Sequence, residues 1–99
     1  PRIFKRRSSM NITPLNQLPK GAHASIHKIT INQVFGQLDD MIGRRLVDLG
    51  FSDGVSIQII GTGLFGRGPF AVRVGNCAQF SLREAEAAKV LCLLPDTTE

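Results

Sequence analysis

The sequence has 99 residues, which fits one domain with a modest core, and its 42% of hydrophobic residues exclude a disordered chain. The net charge of +4 suggests a nucleic acid or an acidic membrane surface as the partner. No apolar run approaches the ~20 residues that a membrane-spanning helix needs. Four of the 12 basic residues lie in the first ten positions, which hold no acid, so eight basic and eight acidic residues remain. A nucleic-acid-binding domain would carry the excess on its folded face, so we expect neither nucleic acid nor direct membrane insertion.

The charge pattern divides the chain into a tail, a domain and a second tail. Residues 1–17 contain the basic run and lack periodicity, so we expect a flexible basic N-terminal tail. Met10 follows the run, and whether residues 1–9 are native or a vector remnant stays open. The domain is predicted to span residues 18–94, followed by a polar C-terminal tail at 95–99.

The first predicted strand covers residues 22–31, which are rich in β-branched side chains and follow a Pro-Gly turn at 18–21. Its apolar residues change parity halfway along. A bulge near His27 would bring all of them to the core side of the sheet. These apolar residues are Ala24, Ile26, Ile29 and Ile31.

A helix is predicted over residues 38–49 because apolar side chains recur there at 3.6-residue spacing. Asp39 and Asp40 lie in its first turn, where the helix dipole favours negative charge, and we expect them on the surface. Gly43 weakens a helix by about 1 kcal/mol relative to Ala, which suggests a close packing contact there. The predicted core face consists of Leu38, Met41, Ile42, Leu46 and Leu49.

The end of this helix carries a recognisable stop signal. Gly50 can adopt the left-handed conformation that follows a helix. Phe51 can then pack back on Leu46, which is the hydrophobic contact of a Schellman cap. The sequence therefore predicts both where the helix ends and how the chain leaves it.

Four further strands are predicted from apolar alternation between glycine-rich turns. A short helical turn at 83–89 precedes the last of them. Five short strands are too few for a sandwich, but they can close into a barrel that removes exposed edges. The expected fold is mainly β, a small SH3-like five-stranded barrel with one α-helix after the first strand and a helical turn before the last. The later strands are predicted at residues 55–59, 70–74, 77–82 and 90–94.

The candidate metal ligands do not form a site. His23 and His27 are four residues apart, which on a strand separates them by about 13 Å, too far to share one ion. Cys77 and Cys92 share no CxxC spacing and are expected as reduced core thiols. We therefore predict no metal ligands and no tightly bound cofactor, while weak transition-metal binding by a single histidine stays open.

Catalytic motifs are also missing from the sequence. The glycines of residues 61–68 do not form GxGxxG at the start of a helix, and no Walker lysine follows them. There is no GxSxG nucleophile elbow. We predict a protein that is not an enzyme, with residues 61–69 as a mobile hairpin loop.

That loop contains the strongest candidate for partner binding. Leu64 and Phe65 are adjacent large apolar residues at a tip that should be exposed, and Arg67 lies beside them. Such a pair is a fair binding site, although the alternative that the loop folds back over the barrel mouth stays open.

Arg45 is the other candidate, because it lies between Met41 and Leu38 on the helical wheel, at the edge of the apolar stripe. Partner recognition is one interpretation. The other is a guanidinium that covers the core rim and pairs with Asp48 or Glu86.

Several short motifs occur in a fixed order along the chain. Residues 45–51, RLVDLGF, followed by Gly54, resemble the RLxDLGF…G core of the FeoA family, small proteins associated with bacterial ferrous iron transport. Residues 82–90 are similar to that family's LRxxEAxxI signature. Gly68-Pro69 and residues 18–21 resemble its loop and its opening strand, so the match spans residues 18–94.

Two positions depart from the family pattern. Asp53 stands where the family often has proline, and Arg67 and Gly68 stand where it often has an acidic residue. The second departure lies in the candidate loop, so a partner contact there cannot be carried over from the family by analogy.

The resemblance implies a non-enzymatic cytoplasmic accessory protein of ferrous iron transport. The implied partner is the membrane iron transporter with its cytosolic GTPase domain, which the chain would bind or regulate. Two alternatives stay open at this point: a metal-responsive sensor or regulatory module, and a nucleic-acid-binding module that uses the basic tail.

Overall fold

The computed structural model describes residues 12–75 and 78–94, so most of the predicted N-terminal tail, the C-terminal tail and Cys77 lie outside the described residues. Within them lie six strands, two α-helices and three short 3-10 segments. The strands are β1 Ile12–Pro14, β2 His23–Ile29, β3 Ser56–Gly61, β4 Phe70–Val74, β5 Ala78–Leu82 and β6 Val90–Leu93. The helices are α1 Asp39–Asp48 and α2 Glu84–Ala87, and the 3-10 segments are Leu15–Gln17, Gln33–Leu38 and Leu64–Gly66.

The strands form one antiparallel sheet in the order β1-β6-β2-β3-β4-β5. Alternation along β3 and β4 turns Ile57, Ile59 and Val72 inward, and one face of strands β2 to β6 contributes to a single core cluster. The predicted mainly β class, with a helix after a strand and a short helix before the last strand, is confirmed.

The sixth strand, β1, comes from a segment that the sequence predicted as tail. Thr13 pairs with Cys92 of β6, and the next residue after the strand, Leu15, is fully buried. Residues 12–17 therefore belong to the fold, and the predicted domain start at Leu18 was too late. The strand has only three residues, with Pro14 tolerated on an edge strand, so it carries almost no local pattern.

The predicted bulge in β2 is confirmed, because its register against β6 shifts between Ile26 and Lys28. Ile26 is buried and Ile29 packs against the core from the other parity. Ile31 is 74% exposed, so its assignment to the core was wrong. Pairing with β6 ends at Ile29, and the chain then turns into the 3-10 segment, which leaves Ile31 in solvent.

The Schellman cap at the end of α1 is also confirmed. Gly50 has φ +113°, its N–H donates to the Val47 carbonyl at 3.0 Å, and the Phe51 N–H donates to the Leu46 carbonyl at 3.0 Å. Phe51 and Leu46 are both buried. The helix thus ends where the sequence predicts, and its end directs a phenylalanine into the core.

The predicted core face of α1 is only partly correct. Leu46 is buried and Ile42 packs against the core, but Leu38, Met41 and Leu49 are exposed. The helix packs against β2 and the preceding 3-10 segment. These contacts cover only part of its apolar face, and the rest is in solvent. No helix within the described residues is long and apolar enough to cross a membrane.

Candidate functional site

The loop between β3 and β4 is held at its base by glycine backbone. Gly63 and Gly68 form a bridge, and the Gly68 N–H donates to the Thr62 carbonyl at 2.8 Å. Gly63 and Gly68 have φ of +70° and +95°, and a Cβ on Gly63 would overlap the carbonyl of Gly68. This base fixes where the loop leaves the barrel.

The tip of the loop presents two large apolar side chains to solvent. Leu64 is 80% exposed and Phe65 is 93% exposed. Of the two interpretations left open by the sequence, exposure at the tip is the one that the structure supports. Their role in partner binding remains a prediction.

Phe65 also has an unusual backbone conformation, with φ +59° and ψ +20°. An L-residue in this left-handed region pays about 1–2 kcal/mol, and glycine is the residue that normally stands there. The fold therefore holds a phenylalanine in a costly conformation without burying its ring. Such backbone outliers cluster at functional sites.

The charged candidates lie on different parts of the surface. Arg67 lines an open groove of about 580 Å³ beside the loop, together with Pro69, Arg83 and Glu86. Arg45 is exposed on α1, and within the described residues it forms no ion pair with either predicted partner. Within the described residues no hydrogen bond joins Arg45 to residues 64–67, and Arg45 does not line the groove at Arg67.

A buried ion pair was missed by the sequence analysis. The Lys89 side chain is 1% exposed, and its Nζ donates to Oδ1 of Asp39 and to the Asp39 carbonyl. Asp39 was predicted on the surface, which is wrong, because its carboxylate turns inward to Lys89 instead of facing solvent at the helix start. The partners are 50 residues apart, and the one local signal was a lysine directly before a buried strand.

Asn32 extends this pair into a network between distant segments. Its N–H donates to Oδ1 of Asp39 at 2.9 Å, and its side-chain Nδ2 donates to the Ala85 carbonyl at 3.0 Å. The Lys89 Nζ also lies 5.8 Å from the centroid of the Phe35 ring. These contacts join the β2–α1 connection to α2 and β6, so they position α1 on the barrel.

We expect this network to make stability depend on pH. The hydrogen bond from Lys89 and that from the Asn32 N–H hold the pKa of Asp39 below its usual value of 3.8. A lowered pKa contributes stability that is complete above 3.8 and is lost as the pH falls through the folded-state value. In urea unfolding, the free energy of unfolding should fall less between neutral and acidic pH for Asp39→Asn than for the wild type.

Asp40→Asn is the matched control, since it removes the neighbouring exposed carboxylate and leaves the ion pair intact. It should keep the wild-type acid dependence. Equal acid dependence of the wild type and Asp39→Asn would contradict the assignment.

The candidate metal ligands are dispersed in the structure. His23 is exposed and lies before the β2 bulge, whereas His27 is half-buried at the bulge itself. Cys92 is buried, and burial raises the pKa of its thiol to about 12, so it is a neutral core thiol. Residues 12–75 and 78–94 contain no group of three His, Cys, Asp or Glu side chains that could hold an ion.

Comparison with known proteins gives a consistent family. The FeoA domain family matches residues 13–93, which is most of the chain. No curated protein matches the sequence.

Among solved structures, the FeoA of Stenotrophomonas maltophilia, crystallised with zinc and described as an SH3 domain protein, is 31% identical. It aligns with a TM-score of 0.68 over 81% of this chain and 88% of that chain. The predicted SH3-like fold is thereby confirmed.

Two further structures share the fold at lower identity. A FeoA-like protein from Clostridium acetobutylicum is 24% identical with a TM-score of 0.67, over 89% of this chain and 90% of that one. A manganese-dependent transcriptional repressor is 15% identical with a TM-score of 0.70, over 86% of this chain and 42% of the repressor. At these identities the likeness shows the architecture alone.

Proposed function

The chain belongs to the FeoA family, which is associated with ferrous iron transport, and from this premise we propose that it is a non-enzymatic cytoplasmic accessory protein of that process. Its proposed partner is the membrane iron transporter, bound through the transporter's cytosolic GTPase domain. The family consists of small accessory SH3-like domains and is not a known enzyme class.

The observation that carries the proposal is the conformation of Phe65. Its ring is almost fully exposed and its backbone is left-handed, so the isolated chain gains nothing from either feature. Burial of a Phe side chain is worth about 1.5–3 kcal/mol, which a partner pocket would supply. Pre-organisation of an aromatic anchor in the conformation that a partner binds would also lower the entropic cost of association.

The chemistry around Phe65 favours a protein partner. Leu64 enlarges the apolar tip, and Arg67 adds a cation that can meet a carboxylate at the rim of the partner's pocket. We therefore expect the transporter domain to offer an apolar pocket with acidic residues beside it.

The test is binding of the purified chain to the transporter's cytosolic domain. Replacing Leu64 and Phe65 with Ser should weaken binding by about tenfold or more, since buried aromatic anchors dominate interface energies. Val34→Ser is the matched control, because Val34 is also a largely exposed apolar residue and lies outside the loop. It should bind like the wild type.

The outcomes separate the surface from the function. If the folded double variant binds as well as the wild type, the loop is not the contact surface. If the wild-type chain fails to bind the cytosolic domain at all, the proposed partnership itself is wrong.

A further inference from the structure

An open groove of about 600 Å³ runs beside α1, and no residue of the 61–69 loop lines it. Its volume lies within the ~300–1,000 Å³ range of ligand pockets. Ile29, Ile31 and Val47 give it apolar walls, and Gly43 lies between them on the helix. The groove is completed by Thr30, Asp39, Asp40, Arg44, Asp48 and Lys89.

Gly43 keeps this groove open, and the fold does not otherwise need a glycine there. Its φ is not left-handed, and a Cβ would meet Ile29 Cγ2 at 3.7 Å and Lys89 Nζ at 3.9 Å, which are ordinary contacts. The close packing contact suggested by the sequence is therefore not found. Glycine is nonetheless one of the poorest helix formers, so it costs helix stability here. The one gain is that no side chain fills the groove above position 43.

The rim of the groove is negative. Asp39 and Lys89 neutralise each other in their ion pair. Of the other charged residues in the lining, Asp40 and Asp48 are negative and only Arg44 is positive, so the net charge is negative. A matching ligand would be an apolar group that carries a positive charge. The chain itself has one, since the 61–69 loop exposes Leu64 and Phe65 next to Arg67 and contains no acidic residue.

We propose that the loop tip of one copy inserts Phe65 and Leu64 into the α1 groove of a second copy, with Arg67 facing Asp40 and Asp48. The two surfaces are different parts of the same molecule. The contact is therefore heterologous, and copies can add head to tail without closing. A single loop buries less than the ~1,000 Å² of a stable interface, so a Kd on the order of 0.1–1 mM is expected.

The inference does not depend on the proposed function, because self-association is measured on this chain alone. Gly43→Leu fills the groove and leaves the loop free, so it should weaken self-association while transporter binding persists. A failure of either idea is thus distinguishable from a failure of the other.

The experiment is sedimentation velocity over a concentration series, with heteronuclear NMR shifts as the residue-level readout. The wild type should gain mass with concentration and shift at both the loop and the groove. Gly43→Leu and the Leu64→Ser/Phe65→Ser double variant should each weaken association by about tenfold or more. Gly43→Ala adds only one methyl group, and it should retain most of the association.

Mixing the two defective variants gives the decisive result. One keeps the loop and the other keeps the groove, so the mixture should form a one-to-one complex at close to the wild-type affinity. Circular dichroism tests whether each variant is folded. If Gly43→Leu is unfolded, the Asp40→Lys/Asp48→Lys double variant replaces it. This variant is mixed with Arg67→Glu, whose reversed loop charge matches the reversed charge of the groove. Absence of concentration dependence in the wild type, or a mixture of folded variants that fails to associate, would overturn the proposal.

Discussion

Replacing Phe51 with Ala is expected to lower the free energy of unfolding by about 3–5 kcal/mol. Phe51 is fully buried, and its ring lies 5.7 Å from the Phe80 ring, centroid to centroid, at an interplanar angle of 47°. Truncation would leave a cavity between the end of α1 and the sheet, and it would also remove this tilted aromatic pair. Urea unfolding followed by circular dichroism measures the loss.

Leu49→Ala is the matched control, because Leu49 lies two residues earlier but is exposed. Its substitution should change stability by less than about 1 kcal/mol. The comparison separates the loss of the buried Phe51 contact in the Schellman cap from the loss of any apolar side chain near the helix end. A cost for Leu49→Ala as large as that for Phe51→Ala would contradict the exposure of this helix face.

The second large effect is expected at Lys89, where substitution by Ala should cost about 3 kcal/mol. The variant removes a buried four-carbon stem and leaves the Asp39 carboxylate without its cation. It also removes the cation beside the Phe35 ring. The main-chain bond from the Thr30 N–H to the Lys89 carbonyl, 2.7 Å long, is retained, so the loss reports the side chain.

Lys89→Met resolves this loss into its parts. Methionine is unbranched and can occupy the same slot, so it keeps the packing and removes only the charge. Its stability should lie between those of the wild type and Lys89→Ala. If Lys89→Ala were within about 1 kcal/mol of the wild type, the ion pair would not be what positions α1 on the barrel.

The loop and the groove make different demands on the same chain. Phe65 is held out in solvent at a conformational cost, and Gly43 lowers helix stability without a packing reason. Both positions oppose stability locally, which is the pattern expected where binding rather than folding selects the residue. The transporter contact and the self-association proposed above provide separate tests of the two.

Local chemistry was sufficient to predict the ends of elements and the type of fold. Gly50 and Phe51 define the Schellman cap within one turn of helix, and parity changes in residues 22–31 locate the bulge at His27. The motif order along residues 18–94 indicates the FeoA family that the domain match establishes. In each case the determining residues are close together in the chain, so their preferences can be read without knowing what packs against them.

Only the tertiary structure decided which surfaces are covered. Lys89 and Asp39 pair across 50 residues, β1 exists because β6 offers it an edge, and α1 turns Met41 outward because it packs along a narrow stripe. The sequence presents the apolar and charged residues in order, but burial of each depends on segments far away in the chain. The same reason explains why the exposed loop tip was one of two open interpretations, and why the groove above Gly43 could not be predicted at all.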